Sequence, residues 1–239
     1  MTDRPILFSA PMIRALLEGR KTQTRRVITP KNDAARFLFF QDWTDDYILK
    51  AGWRFLQRTH GYAIGDRLWV REAWRADSQM DAIAPSNLSQ YEPRFFEANS
   101  WLIEPTCSMI KPGRLRASMH MPRWASRLTL LVTDVRVQRL QDISKDDARQ
   151  EGIPNAPYAV RPDLSFKSLW DSINANPRPR YGLVGGKKCI THYESFPWAG
   201  ETRTETHRGK PHHITPNPWV VAPTFEVVHS NIDAIEVAA

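Results

Sequence analysis

The chain has 239 residues, 41% of them hydrophobic, which suffices for a packed core and excludes a disordered chain. Its net charge is +7 with a pI near 9.6, and the excess is local: residues 1–26 hold six Lys/Arg against two acids and residues 175–215 seven against three. Two lone cysteines, Cys107 and Cys189, rule out a disulfide framework, and no apolar run approaches the roughly 18 residues that span a bilayer.

These limits lead to an expectation of a cytoplasmic protein with no leader and no membrane partner. Clustered cations favour a polyanion as partner, nucleic acid first; a merely basic soluble protein is the plain alternative.

In chain order, Pro5-Ile6-Leu7-Phe8 predicts a strand, and Met12, Ile13, Leu16 and Leu17 predict an amphipathic helix. Gly19 stops that helix with the positive φ that glycine adopts at little cost. The connection Glu18-Gly19-Arg20-Lys21-Thr22-Gln23-Thr24-Arg25-Arg26 follows. Its bland reading is a solvated basic loop. The sharper one is that crowded cations lower the pKa of Lys21, a route to a neutral, basic amine.

Extended structure ends at Thr29-Pro30, and 31–36 reads as a polar turn. Strands are expected over Phe37–Phe40, Tyr47–Leu49 and Trp53–Leu56. Gly65-Asp66 turns into a strand over Arg67–Trp74, where Glu72 is either a solvated strand-end acid or electrostatic support for Lys21. Residues 75–115, with four prolines and no sustained period, read as an insertion anchored by Phe95, Phe96 and Trp101. In Pro122-Arg123-Trp124 an exposed Trp beside Arg suits stacking on a base, and a packed Trp closing one end of the fold fits equally.

The longest alternation, Arg127 to Leu140, is a strand. Ser144 with Asp147 three residues on opens a helix within Ile143–Gly152. Glu151 in its last turn opposes the helix dipole, so capping does not explain it. A second helix runs from Ser165 to Ile173 with Phe166, Leu169, Trp170 and Ile173 on one face. Residues 175–217 read as a second insertion or arm, 218–228 as a closing strand, and 229–239 as a loose tail.

Leu17 to Arg25 resembles the signature of ASCH domains, PUA-like β-barrels associated with RNA and modified nucleosides. The compact bacterial members that hydrolyse N4-acetylcytidine carry a similar Gly-Arg-Lys-Thr-x-Thr run. Gly65–Val70, Arg127–Leu140 and Ile143–Gly152 are similar in order to the family's Gly-Asp turn and strand, long strand and short helix. The resemblance implies an α+β fold: one PUA-like mixed β-barrel over 1–228, with two or three helices and insertions at about 75–115 and 175–217 that the compact members lack.

It also implies a catalytic set of Lys21, Thr24 and Glu151, with no cofactor. Arg20, Arg25, Arg26, Glu72, Arg123 and Trp124 are candidates for holding nucleic acid or a nucleoside. An amidohydrolase that frees an acyl group from the exocyclic amine of a cytidine-like base is the leading expectation. A non-catalytic RNA or modified-DNA binder, or a ribonuclease, is the alternative.

Other chemistry fits less well. Cys189, His192, His207, His212 and His213 have zinc's residue types without its paired spacing, so no metal is expected. Gly182–Lys188 lacks the Ser/Thr of a phosphate loop, and no Gly-x-Ser-x-Gly elbow occurs.

Overall fold

The computed structural model describes residues 2–28, 61–154 and 161–235. The turn expected at 31–36 and the strands expected between 37 and 56 lie outside the described residues. In chain order the elements are β1 (Asp3–Leu7), α1 (Ala10–Leu17), β2 (Arg26–Val27), β3 (Arg67–Arg71), β4 (Trp74–Arg75), β5 (Arg94–Phe96), β6 (Trp101–Ile103) and β7 (Thr129–Arg139). They continue with α2 (Lys145–Gln150), α3 (Pro162–Asn174), β8 (Arg178–Val184), β9 (Lys187–Ser195), β10 (Arg203–His207), β11 (Lys210–Ile214) and β12 (Trp219–Val228). The fold is α+β, and among the described residues no sheet closes into a barrel.

Two compact units form. The first gathers Met1–Gln23, Tyr62–Val135 and Pro223–Ala239, and the second Thr24–Gly61 and Arg136–Ala222.

In the first unit β1 runs parallel to β3, with Ile6 opposite Val70, and β3 pairs antiparallel with β7, with Leu68 opposite Leu130. Alternation sends Ile6, Leu68, Val70, Leu130 and Val132 into a core shared with Ile13 and Leu16 of α1 and Phe225 of β12. Each such side chain contributes about 1.5–3 kcal/mol on burial. Gly65, at φ +85°, makes the turn into β3, and the buried Asp66 carboxylate accepts from Thr2 N and Ala63 N at 2.8 and 3.0 Å.

The segment 75–115 holds a small sheet in the order β4-β5-β6 over a second core of Trp74, Phe96, Met121 and Ala125. Of its expected anchors Phe96 is fully buried, whereas Trp101 is 54% exposed. Asp77 ties the segment down by accepting from Gln79 N, Ile110 N and Lys111 N. The expected tail is packed as far as Ile232, which is buried, and the Asn231 amide donates to Arg123 O and Ser126 O.

In the second unit Val220 and Val221 of β12 pair with Val27 and Arg26 of β2. Leu140, Ile143, Ala148, Phe166, Trp170 and Val220 make its core. Ser144 and Asp147 form the full capping box expected for α2. Helix α3 starts at Pro162, three residues before the expected Ser165, because a proline in the first turn has no N–H to leave unsatisfied. Of the expected apolar stripe, Phe166 and Trp170 are buried and Ile173 turns outward.

The stretch expected as an insertion or arm is a four-stranded sheet in the order β10-β11-β9-β8. Both of its hairpins close through two residues of positive φ, Gly185-Gly186 (+58° and +77°) and Arg208-Gly209 (+51° and +71°), the pair that a type I′ turn demands. The superficial phosphate loop is therefore a hairpin tip.

Candidate functional site

The end of α1 sets the position of Lys21. Gly19 takes φ +69°, and the chain doubles back so that Arg20 N and Lys21 N both donate to Ala15 O, at 2.9 and 3.0 Å. This carries the lysine inward. Its side chain is 0% exposed, its Nζ donates to Gln23 O at 2.8 Å, and it lies 5.6 Å from the centre of the Phe8 ring. The basic turn is thus no solvated loop at this position. Arg20 points the other way and pairs with Glu18 at 2.5 Å, both side chains being partly in water.

Gln23 is buried, bridges Thr224 in β12 and donates to its hydroxyl at 3.2 Å, while Phe225 N donates to Thr22 O. The loop is therefore tied to helix α1 at Lys21 and stitched to a strand by the two residues that follow it. Phe8 N donates in turn to Arg71 O at 3.2 Å, so the backbone of Phe8 meets that of the residue before Glu72.

Glu72 is 2% exposed, not a solvated strand-end acid. Arg127 grips it through Nε and Nη2 at 2.8 and 2.9 Å. The same guanidinium lies 4.2 Å over the Phe96 ring, and its Nη2 also donates to Asn99 Oδ1 at 2.9 Å. A two-pronged carboxylate contact together with ring stacking suits arginine's planar fork and fixes it in one pose.

Beside this pair the first unit has a cleft of about 280 Å³. Leu17, Ile103 and Leu128 form its apolar walls, and Asn99, Trp101, Arg127 and His229 complete the lining. The turn that carries Asn99 is pinned twice: Arg14 of α1 donates to Ala98 O at 2.8 Å, and Arg75 pairs with Glu97. Ser100 within it has φ +53°, a left-handed conformation uncommon for a residue with a Cβ.

In the second unit Thr24 is buried and leads directly into Arg25, whose side chain is wholly enclosed. Arg25 contacts Glu151 Oε1 and Asp147 Oδ2, both at 3.1 Å, and lies 5.9 Å over the Phe166 ring. Arg136 holds the other oxygen of Asp147 at 2.8 Å. Burial alone would raise the Asp147 pKa, but the Arg136 hydrogen bond with the charges of Arg25 and Arg136 brings it below the usual carboxylate value. Glu151, at the C-cap of α2, is thus matched by an arginine in place of the dipole it opposes. Arg26 sits half-buried in β2.

Arg123 and Trp124 have structural partners. Arg123 bridges Asp3 and Asp233 at 2.6 and 2.5 Å, and these two acids raise its pKa further. Trp124 packs edge-on against Trp74, ring centres 6.2 Å apart, and Arg94 lies over its face. Of the two readings of this tripeptide, packing describes the structure. Among the described residues no three His, Cys, Asp or Glu come together in a way that would hold a metal ion.

The structure therefore joins Arg25 to Glu151 in one unit, and sets Lys21 against the Phe8 ring in the other, which also holds Glu72. Sequence reasoning passed over Arg127, Asn99 and Asp147 as site residues. Asp147 had a signal, its four-residue spacing from Glu151, whereas the contacts of Arg127 and Asn99 span 55 and 28 residues. No family model, no curated protein and no solved structure matches this chain.

Proposed function

We propose that the chain is an ASCH-like amidohydrolase that removes an acyl group from the exocyclic amine of a cytidine-like nucleoside. The fold that goes with this reading is a PUA-like mixed barrel, with β1, β3, β7, β12 and β2 in its wall. One observation carries it: in the turn where the resemblance is strongest, Lys21 is fully buried on an aromatic ring and held by its own loop. Lysine is among the residues least often buried completely, and such a site is where a functional amine is to be sought.

In this reading water adds to the acyl carbon, and Lys21 takes the water's proton and returns it to the departing exocyclic nitrogen. The C–N bond breaks, leaving the free amine and a carboxylic acid that releases its proton to water as the carboxylate. Thr24 orients the water or the carbonyl. Glu151 is a positioning residue that fixes Thr24 through its clamp on Arg25, the next residue in the chain. Glu72, in the same unit as Lys21, is the second acid to test. Purified protein incubated with N4-acetylcytidine should yield cytidine and acetate by mass, and Lys21→Ala should not. Equal release by the variant, or none by the wild type on free nucleoside and acylated RNA alike, would overturn the reading.

A second reading, a non-catalytic grip on RNA or modified DNA, is favoured by the β8–β9 hairpin. Residues 178–188 carry four cations and no acid, and Leu183 at the tip is 76% exposed. RNA binding that falls steeply with salt, in a protein without acyl release, would select it.

A further inference from the structure

The cleft of the first unit takes Asn99, Trp101 and Ile103 from the segment 75–115, Leu17 from the start of the motif that carries Lys21, and Arg127, Leu128 and His229 from elsewhere in the unit. We propose that it binds a flat, uncharged ring with two adjacent acceptors, specifically the O2/N3 edge of a cytosine, stacked on Trp101.

Four observations lead there. The volume, about 280 Å³, lies just below the roughly 300–1,000 Å³ typical of small-molecule sites, so it suits one ring system and not a polymer groove. The Arg127 charge is already matched by Glu72, which leaves no net charge to attract a phosphate or carboxylate. Trp101 stands about half in solvent at the start of β6, on the lining of this cleft, where an aromatic face serves as a stacking platform.

The fourth observation sets the polarity of the edge. Arg127 uses Nε and Nη2 on Glu72 and Asn99, and its Nη1 makes no hydrogen bond to a described residue. Because Asn99 Oδ1 accepts from Arg127, the Asn99 amide is oriented with its NH₂ as the other donor. Two donors on one cleft lining match cytosine, with acceptors at O2 and N3. They mismatch uracil, whose N3 carries a hydrogen. The pinned turn at 97–100, held by Arg14 and Arg75 and strained at Ser100, keeps this donor pair in place without a ligand.

The choice of cytosine over the O6/N7 edge of guanine rests on the acylated-cytidine reading, whereas the two-acceptor ring does not. The test is calorimetric binding of cytidine, uridine, guanosine and ribose to the full chain, to Trp101→Ala, Trp101→Phe and Asn99→Ala. Both residues are exposed, so the variants keep the fold.

Cytidine should bind about tenfold more tightly than uridine, whose N3–H faces these donors and leaves one of them unpaired in the complex. Trp101→Ala should weaken cytidine ~5- to 150-fold, the range of one lost base stack, with Trp101→Phe recovering most of it. Asn99→Ala should erase the preference for cytidine. Equal affinity for cytidine and uridine, no nucleoside binding, preference for guanosine, or an unchanged Trp101→Ala would each overturn the cytosine cleft.

The two proposals fail separately. Acyl release with an unchanged KM in Trp101→Ala removes the cleft and leaves the reaction. Trp101-dependent cytidine binding without acyl release does the reverse.

Discussion

Replacing Arg25 by Met keeps most of the side-chain volume and deletes the positive charge between Glu151 and Asp147. The Arg25 side chain is 0% exposed, and its partners are only 5% and 11% exposed. The surface value for an ion pair therefore does not apply. Breaking a buried pair by removing one member costs about 3–5 kcal/mol, mostly because the remaining charge stays buried. For a chain of this length that is a fall in midpoint of roughly 6–20 °C.

The loss has a pH signature. Asp147 titrates below its unfolded value in the fold, so it stabilises above that value and the contribution disappears as pH falls through the folded pKa. Without Arg25, one of the charges that lower this pKa is gone, and the Asp147 carboxyl titrates higher. The variant therefore lacks stability at neutral pH that the wild type also loses in acid, and the two curves should converge below about pH 4. Urea unfolding of both proteins at pH 7 and across pH 3–5, followed by tryptophan fluorescence, measures this. A penalty under about 1 kcal/mol at pH 7, or one independent of pH, would refute a buried charge clamp.

Glu72→Ala should cost ~3 kcal/mol by leaving Arg127 without its partner, and Arg127→Met in the same chain should recover much of that; additive losses in a double-mutant cycle would show the two are not coupled. Asp77→Ala should cost ~1–2 kcal/mol and speed amide exchange at Ile110 and Lys111, whose N–H groups it holds. Asp77 has a lowered pKa, first from the Gln79 hydrogen bond, so its stabilisation is present above about pH 4 and fades as pH falls through the folded value; stability of Asp77→Ala that tracks the wild type down to pH 3 would contradict this. His212 is buried against Ser195 Oγ, and burial, then the charge of His207, lowers its pKa. Its neutral form is the favoured one in the fold, so stability falls as pH drops from about 6.5 toward the lowered folded value, and His212→Gln should flatten that slope.

Local chemistry made much of this architecture readable in advance. Gly19 at the end of an amphipathic run, period-two alternation over β7 and a serine three residues before an acid at α2 each depend on a few neighbouring residues. The β8–β11 sheet was missed for a different reason. Pro, Gly and cations dominate its composition, although Gly185-Gly186 between two extended runs is itself a hairpin signal.

The start of α3 was misplaced because a serine competed with a proline three residues earlier. At the candidate site the sequence supplied residue types but not partners. From the sequence Glu72 is a solvated strand-end acid or support for Lys21, and neither reading names Arg127, which is 55 residues away and meets it only in the fold. Of Phe95, Phe96 and Trp101, the anchors expected for their segment, Phe96 is fully buried as expected, whereas Trp101 stands half exposed.

The claim that matters most is that the enclosed amine of Lys21 is the base of an acyl-amide hydrolysis. Single-turnover hydrolysis of N4-acetylcytidine by Lys21→Ala, with methylamine or ethylamine added, tests it most directly. The account predicts a rate near background that climbs with amine concentration and saturates. Hydrolysis as fast as the wild type without added amine would contradict it.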